Sequence, residues 1–132
     1  MDIVSFFKNL KDSDWDIFAT KKWRIKDELS HLVGWERECA QELVKVFKTG
    51  NEPWFTLTDD YTKFNEKIYQ EFKNYSPTVL LSELEKWEKK LEKNIQKIGE
   101  DKIRERNWDW VFDEGENSHF GHHIEQIKEA LK

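Results

Sequence analysis

The chain has one cysteine, one methionine, two prolines and five glycines in 132 residues, and each scarcity closes off a class of structure. A lone thiol, Cys39, makes no internal bridge. This is therefore no disulfide-stapled scaffold, and a buried thiol in a reducing compartment is expected. So few prolines and glycines leave too few turns for a sandwich or barrel and favour long helices. No apolar run approaches the ~20 residues of a membrane-spanning helix, and the apolar stretch in the opening MDIVSFF is short for a signal sequence. A cytoplasmic protein with no membrane partner is expected. Basic excess is missing too: 22 Lys and Arg against 27 Asp and Glu give a net charge of -5. Phosphate-binding surfaces need clustered cations, so no nucleic acid partner is expected.

What is present is aromatic. Charged residues reach 37%, a level seen in disordered chains, but aromatics reach 14%, with seven Trp and nine Phe to bury. The length suits one domain over residues 1–132, and no repeat or low-complexity tract divides it.

Helical spacing recurs along the chain. Ile3, Phe6, Phe7 and Leu10 predict a short or broken first helix starting at Asp2, with a second start at Ser13. Ile25, Leu29, Leu32, Cys39, Leu43 and Val46 predict a second helix of about seven turns, stopped at Thr49-Gly50. Tyr61, Phe64, Ile68 and Phe72 predict a shorter helix capped by Asp59 or Asp60. Ser76-Pro77 opens the clearest helix, whose seam is Leu80, Leu84, Trp87, Leu91, Ile95 and Ile98 and whose end is Gly99. Residues 99–116 read as an irregular aromatic cover without a strand. The last helix starts near Asn117 or Ser118 and buries Phe120, Ile124, Ile127 and Leu131. The fold class expected is all-α.

Three histidines lie at the edges of these apolar stripes. His31 flanks the stripe of the second helix, with Trp35 one turn on. His119 and His123, four residues apart, stack on one face of the last helix, whereas His122 points away. Two imidazoles at this spacing share one metal, and a third from a facing helix completes a three-ligand set with an open position, as in catalytic sites. A His-x3-His pair taken alone is more often a surface pair than a ligand set. The third histidine at a matching helix edge favours the metal.

Over nearly its whole length the chain resembles the DinB-like superfamily, and within it the ClbS/DfsB-type four-helix-bundle proteins. The likeness rests on Trp23-Arg24-Ile25-Lys26-Asp27-Glu28-Leu29-Ser30-His31-Leu32 with Gly34-Trp35-Glu36, on the Tyr61 to Tyr69 stretch around Phe64-Asn65-Glu66, and on His119-Phe120-Gly121-His122-His123-Ile124-Glu125-Gln126-Ile127. It implies a four-helix bundle with a short accessory helix near residues 60–74, from which this chain departs in having a first helix shorter than is usual in that family. It also implies a divalent metal, zinc, nickel or similar, held by His31, His119 and His123. Members of that superfamily include metal-dependent thiol transferases, metal-assisted hydrolases and ClbS-like resistance proteins.

The first functional reading is therefore a metal-dependent hydrolase or thiol/group transferase acting on a small electrophilic compound. The second is a metal-free ClbS/DfsB-like resistance protein that binds or hydrolyses a reactive metabolite. The third is a non-catalytic module that forms a homodimer through the groove left by its short first helix. Trp35, Tyr61 and Trp108 are the candidate substrate-pocket residues. Glu38, two turns beyond His31, is weighed as a base against its simpler role as a solvated carboxylate.

Overall fold

Among the described residues there are six helices, most of them built on apolar residues every three to four positions: α1 (Ile3–Lys8), α2 (Ile25–Thr49), α3 (Thr62–Phe72), α4 (Pro77–Ile98), α5 (Glu100–Glu105) and α6 (His119–Ala130). The computed structural model describes residues 3–112 and 118–132. Asp2 and Asn117, expected at two helix starts, lie outside the described residues. Among these residues there is no strand, only a single bridge between Phe18 and Arg24 in the turn before α2. The fold is all-α. No helix among the described residues is long and apolar enough to cross a membrane.

The helix ends follow from local chemistry. The Asp27 carboxylate reaches back to accept the Arg24 backbone N–H at 3.0 Å, opening α2. Gly50, at φ 78°, turns the chain out of it in the left-handed region. Asp60 accepts the backbone N–H of Thr62 at the start of α3. The Ser76 hydroxyl accepts the N–H of Val79, with Pro77 at the first position of α4. The Ser118 hydroxyl accepts the N–H of Gly121 at 3.0 Å and caps α6.

Two expectations are corrected. The second start expected at Ser13 is a 3₁₀ turn over Asp12–Asp16, where Asp14, not Ser13, closes the turn by accepting the Lys11 N–H. Residues 99–116 are not irregular throughout, because α5 follows Gly99 directly. It is secured by the wholly buried Ile103 and an Arg104–Glu100 ion pair at 2.9 Å. A single apolar residue carries no periodicity, which is why this helix escapes a pattern search.

Helix α2 is the spine. It runs along α4, takes α3 on one side and α6 on another, while α1 packs on α4. Leu29, Leu32, Leu80, Leu84, Ile124 and Ile127 are wholly buried, or nearly so, in the larger apolar cluster. A second cluster joins Ala40, Leu43, Val46 and Leu91 to Ile103, Trp108 and Val111. Trp87 is half-buried and touches both clusters. Between α2 and α3 the backbones come close: a Cβ on Gly34 would stand 2.3 Å from Ile68 Cδ1 and 2.7 Å from its Cγ2. That approach brings Asn65 to Trp35, whose indole N–H it accepts at 2.9 Å.

Candidate metal centre

The side-chain directions of α2 and α6 meet at three imidazoles. His31 lies in the second turn of α2, while His119 and His123 come from the first two turns of α6. Their ligating nitrogens lie within 4.8 Å of one another. His31 Nε2 stands 2.9 Å from His119 Nε2, which is 3.2 Å from His123 Nε2. Two nitrogens bound tetrahedrally to one zinc ion at ~2.0–2.1 Å stand about 3.3 Å apart, close to these spacings. His31 and His123 are buried at 6% and 8% exposure, and His119 is the exposed member. The cluster is therefore open on the His119 side.

The rings are held from behind. His123 Nδ1 is hydrogen-bonded to the carboxylate of Glu28, which is wholly buried one turn before His31 on α2. With Nδ1–H donated to Glu28, the neutral ring presents its lone pair at Nε2, toward the other two histidines. This is the carboxylate–histidine arrangement that orients metal ligands. Trp23 packs on His31 at 4.8 Å between ring centroids, and Trp35 stands 6.3 Å from it, tilted toward an edge-on contact. His31 Nδ1 and Glu28 Oε1 are both buried with no hydrogen-bond partner.

Electrostatics favour the ligand form. Burial, then the nearby His123 and His119, push His31 from its ordinary value of 6.5 down to about 2. The inner side of the His119 ring is sheltered even though the residue as a whole is exposed. Burial there, then His123 and His122, lower its pKa to about 4. Both rings are uncharged at neutral pH, the state in which imidazole binds metal. The Nε2 atoms of His31 and His123 both crowd that of His119 at hydrogen-bond distance, and a divalent cation placed among them would be a ligand partner for all three. The residues fit the metal.

A pocket of about 730 Å³ opens over the cluster and includes all three histidines in its lining. Its aromatic wall includes Trp23, Trp35, Phe55, Tyr61 and Trp110. The Tyr61 hydroxyl donates to the Phe55 carbonyl at 2.8 Å, fixing both on the same side.

Of the expected pocket residues, Trp35 and Tyr61 line this space. Trp108 does not: it is 2% exposed in the second apolar cluster, with its N–H donated to Glu52, and Trp110 takes the wall position. Cys39, expected to be buried, is half-buried and lines the pocket. Glu38 accepts the Trp54 indole N–H at 2.9 Å and is not part of the lining. His122, expected to point away, is exposed and bonded to Gln126; it also lines the pocket but is not part of the three-histidine cluster. Pattern reading passed over Glu28. The available signal was an acid three residues before His31, set between Ile25 and Leu29 on a buried face.

Compared with known proteins, the chain matches no family model, no curated protein sequence and no solved structure.

Proposed function

We propose that the chain is a DinB-like helical bundle of the ClbS/DfsB type. In this reading, His31, His119 and His123 hold one divalent metal for hydrolysis of, or thiol or group transfer to, a small electrophilic compound. The observation that carries the reading is the meeting of three Nε2 atoms from two helices, with Glu28 behind one of them. A divalent ion with three imidazole ligands and an open position lowers the pKa of a coordinated water or thiol and polarises an electrophile.

The chain's own residues do the rest. Glu28 accepts the hydrogen bond from Nδ1–H of His123 and fixes which nitrogen faces the site. Trp23 and Trp35 both pack against the His31 ring. The aromatic wall binds an apolar body and keeps water from it, leaving the reacting end over the histidines. The exposed side of His119 is the approach.

The test is elemental analysis of tag-free protein, followed by titration of chelator-stripped protein with zinc and nickel. One equivalent is expected to bind the wild type, with most affinity lost in His119→Ala and His123→Ala and little change in His122→Ala. Absence of binding, or equal binding by all variants, overturns the metal reading. Activity that survives in chelator would point instead to the metal-free resistance-protein reading.

A further inference from the structure

Glu28 uses one of its two carboxylate oxygens. Oε2 accepts from Nδ1–H of His123, while Oε1 is buried with no hydrogen-bond partner. One turn along α2, Nδ1 of His31 is also buried and unpartnered. Side chains on a helix lean toward its N-terminus, so the His31 ring is carried back over the turn that holds Glu28. An unmet acceptor and a ring nitrogen able to donate share one buried turn.

The neighbouring rings decide which nitrogen of His31 carries the proton. A neutral imidazole has one N–H and one lone pair. Because Glu28 accepts from Nδ1–H of His123, that ring turns a lone pair at Nε2 toward His119 Nε2, 3.2 Å away. His119 Nε2 also stands 2.9 Å from His31 Nε2. If His31 donated a proton from Nε2, the nitrogen of His119 would be a lone pair facing the lone pair of His123. If His119 carries a proton on Nε2 instead, that one N–H serves both neighbours, and both offer lone pairs. Only the second arrangement avoids a contact of like with like. It puts the His31 proton on Nδ1, in the same buried turn as the unpartnered oxygen of Glu28.

We infer that Glu28 is a positioning residue for two imidazoles: Oε2 accepts from Nδ1 of His123 and Oε1 from Nδ1 of His31, so that one carboxylate turns both Nε2 lone pairs toward the site. The second bond is not made in the structure, and closing it takes a torsional adjustment of Glu28 or His31 within that turn. The adjustment is favoured because it removes two unmet polar groups from the interior. The use of this arrangement rests on reading the cluster as a metal centre, but the positions of the protons do not require the metal.

The experiment is ring-nitrogen NMR of the full chain labelled with 15N-histidine, stripped with chelator at neutral pH, with the rings assigned from His31→Asn and His123→Asn. In the wild type both rings are expected to carry the proton on Nδ1, each proton shifted downfield by a carboxylate partner and slow to exchange. Glu28→Gln discriminates, because a carboxylate accepts on both oxygens whereas an amide has one acceptor oxygen and presents N–H on the other side. One of the two rings should therefore move its proton to Nε2 in that variant. A carboxylate that served His123 alone would be replaced by the amide oxygen with both rings unchanged. The inference is overturned by a wild-type His31 protonated on Nε2, or by a folded Glu28→Gln in which both rings keep the wild-type pattern. If that variant fails to fold, the wild-type spectrum decides: a His31 Nδ1 proton without the downfield shift, or in fast exchange, overturns it. Zinc titration of the same stripped protein separates the two proposals. Absent uptake with both Nδ1 protons in place defeats the metal reading alone, whereas normal uptake by a chain whose His31 was protonated on Nε2 defeats this inference alone.

Discussion

The Glu28 carboxylate, with no exposed surface, is hydrogen-bonded to Nδ1 of His123, joining the first turn of α2 to the second turn of α6 behind the three-histidine cluster. A buried carboxylate is costly unless it serves a partner, and this one sets the direction of a candidate ligand. Glu28→Gln keeps the shape and an acceptor oxygen but removes the charge. Zinc affinity measured by chelator competition should fall by roughly 10- to 100-fold, the usual effect of removing such a support. An affinity within about twofold of wild type would reduce Glu28 to a packing role.

Much of this arrangement is legible in the sequence because helices announce themselves through period and punctuation. The stripes on α2, α4 and α6, with Gly50, Ser76-Pro77 and Ser118 marking ends, also put His31, His119 and His123 on inward edges. What stays hidden lacks a period. Ile103 alone cannot signal α5, and Trp108 and Trp110 lie in a non-repetitive stretch where nothing in the order of residues says which one faces the pocket. Glu28 is hidden for another reason: a glutamate in so acidic a chain reads as solvated until its histidine partner, 95 positions away, is seen.

At Gly34 the side chain of Ile68 from α3 comes against the backbone of α2, and the lack of a side chain there is used. Gly34→Ala adds a methyl group inside contact distance of three Ile68 atoms, two of them near the Ile68 backbone and unable to swing clear. Overpacking of this kind costs ~1–3 kcal/mol, against ~1 kcal/mol gained from alanine's better helix propensity. A net loss of about 1 kcal/mol is expected in urea melts, with α3 displaced. Because Asn65 on α3 anchors the Trp35 indole, the environment of Trp35 at the pocket wall should change as well. A stabilised variant would show that α3 yields freely.

Leu84 is wholly buried at the centre of α4 in the larger cluster, whereas Leu91 keeps 8% exposure and lines the pocket. Leu84→Ala should cost roughly 3–5 kcal/mol, toward the upper part of the range for a buried leucine, because no open space lets neighbours or water relieve the cavity. Leu91→Ala should cost roughly 2 kcal/mol, since its void merges with the pocket. Denaturant melts of the two variants give the comparison, and equal costs would contradict the placement of Leu91 at the pocket.

The two lowered histidines make the stability of the metal-free chain depend on acid. His31 sits at about 2 and His119 at about 4 in the fold, both below their ordinary 6.5. The unfolded chain therefore takes up protons first as pH falls below ~6.5, and each such proton favours unfolding. Stability contributed by the neutral rings is full above that value. Both histidines draw it down between 6.5 and about 4, and His31 alone from there to about 2. For His31 the slope approaches ~1.4 kcal/mol per pH unit, or about 1 kcal/mol between pH 7 and 5.5. His119 adds less than its shift suggests, because an exposed ring is screened by water. Urea melts of chelator-treated protein at the two pH values should show this loss, and His31→Asn should show a smaller one. Saturating zinc should add stability at pH 7 by binding only the folded, neutral cluster, and that gain should fade in acid as protons compete for the same nitrogens. A metal-free wild type equally stable at both pH values would mean that His31 is not held neutral by its burial.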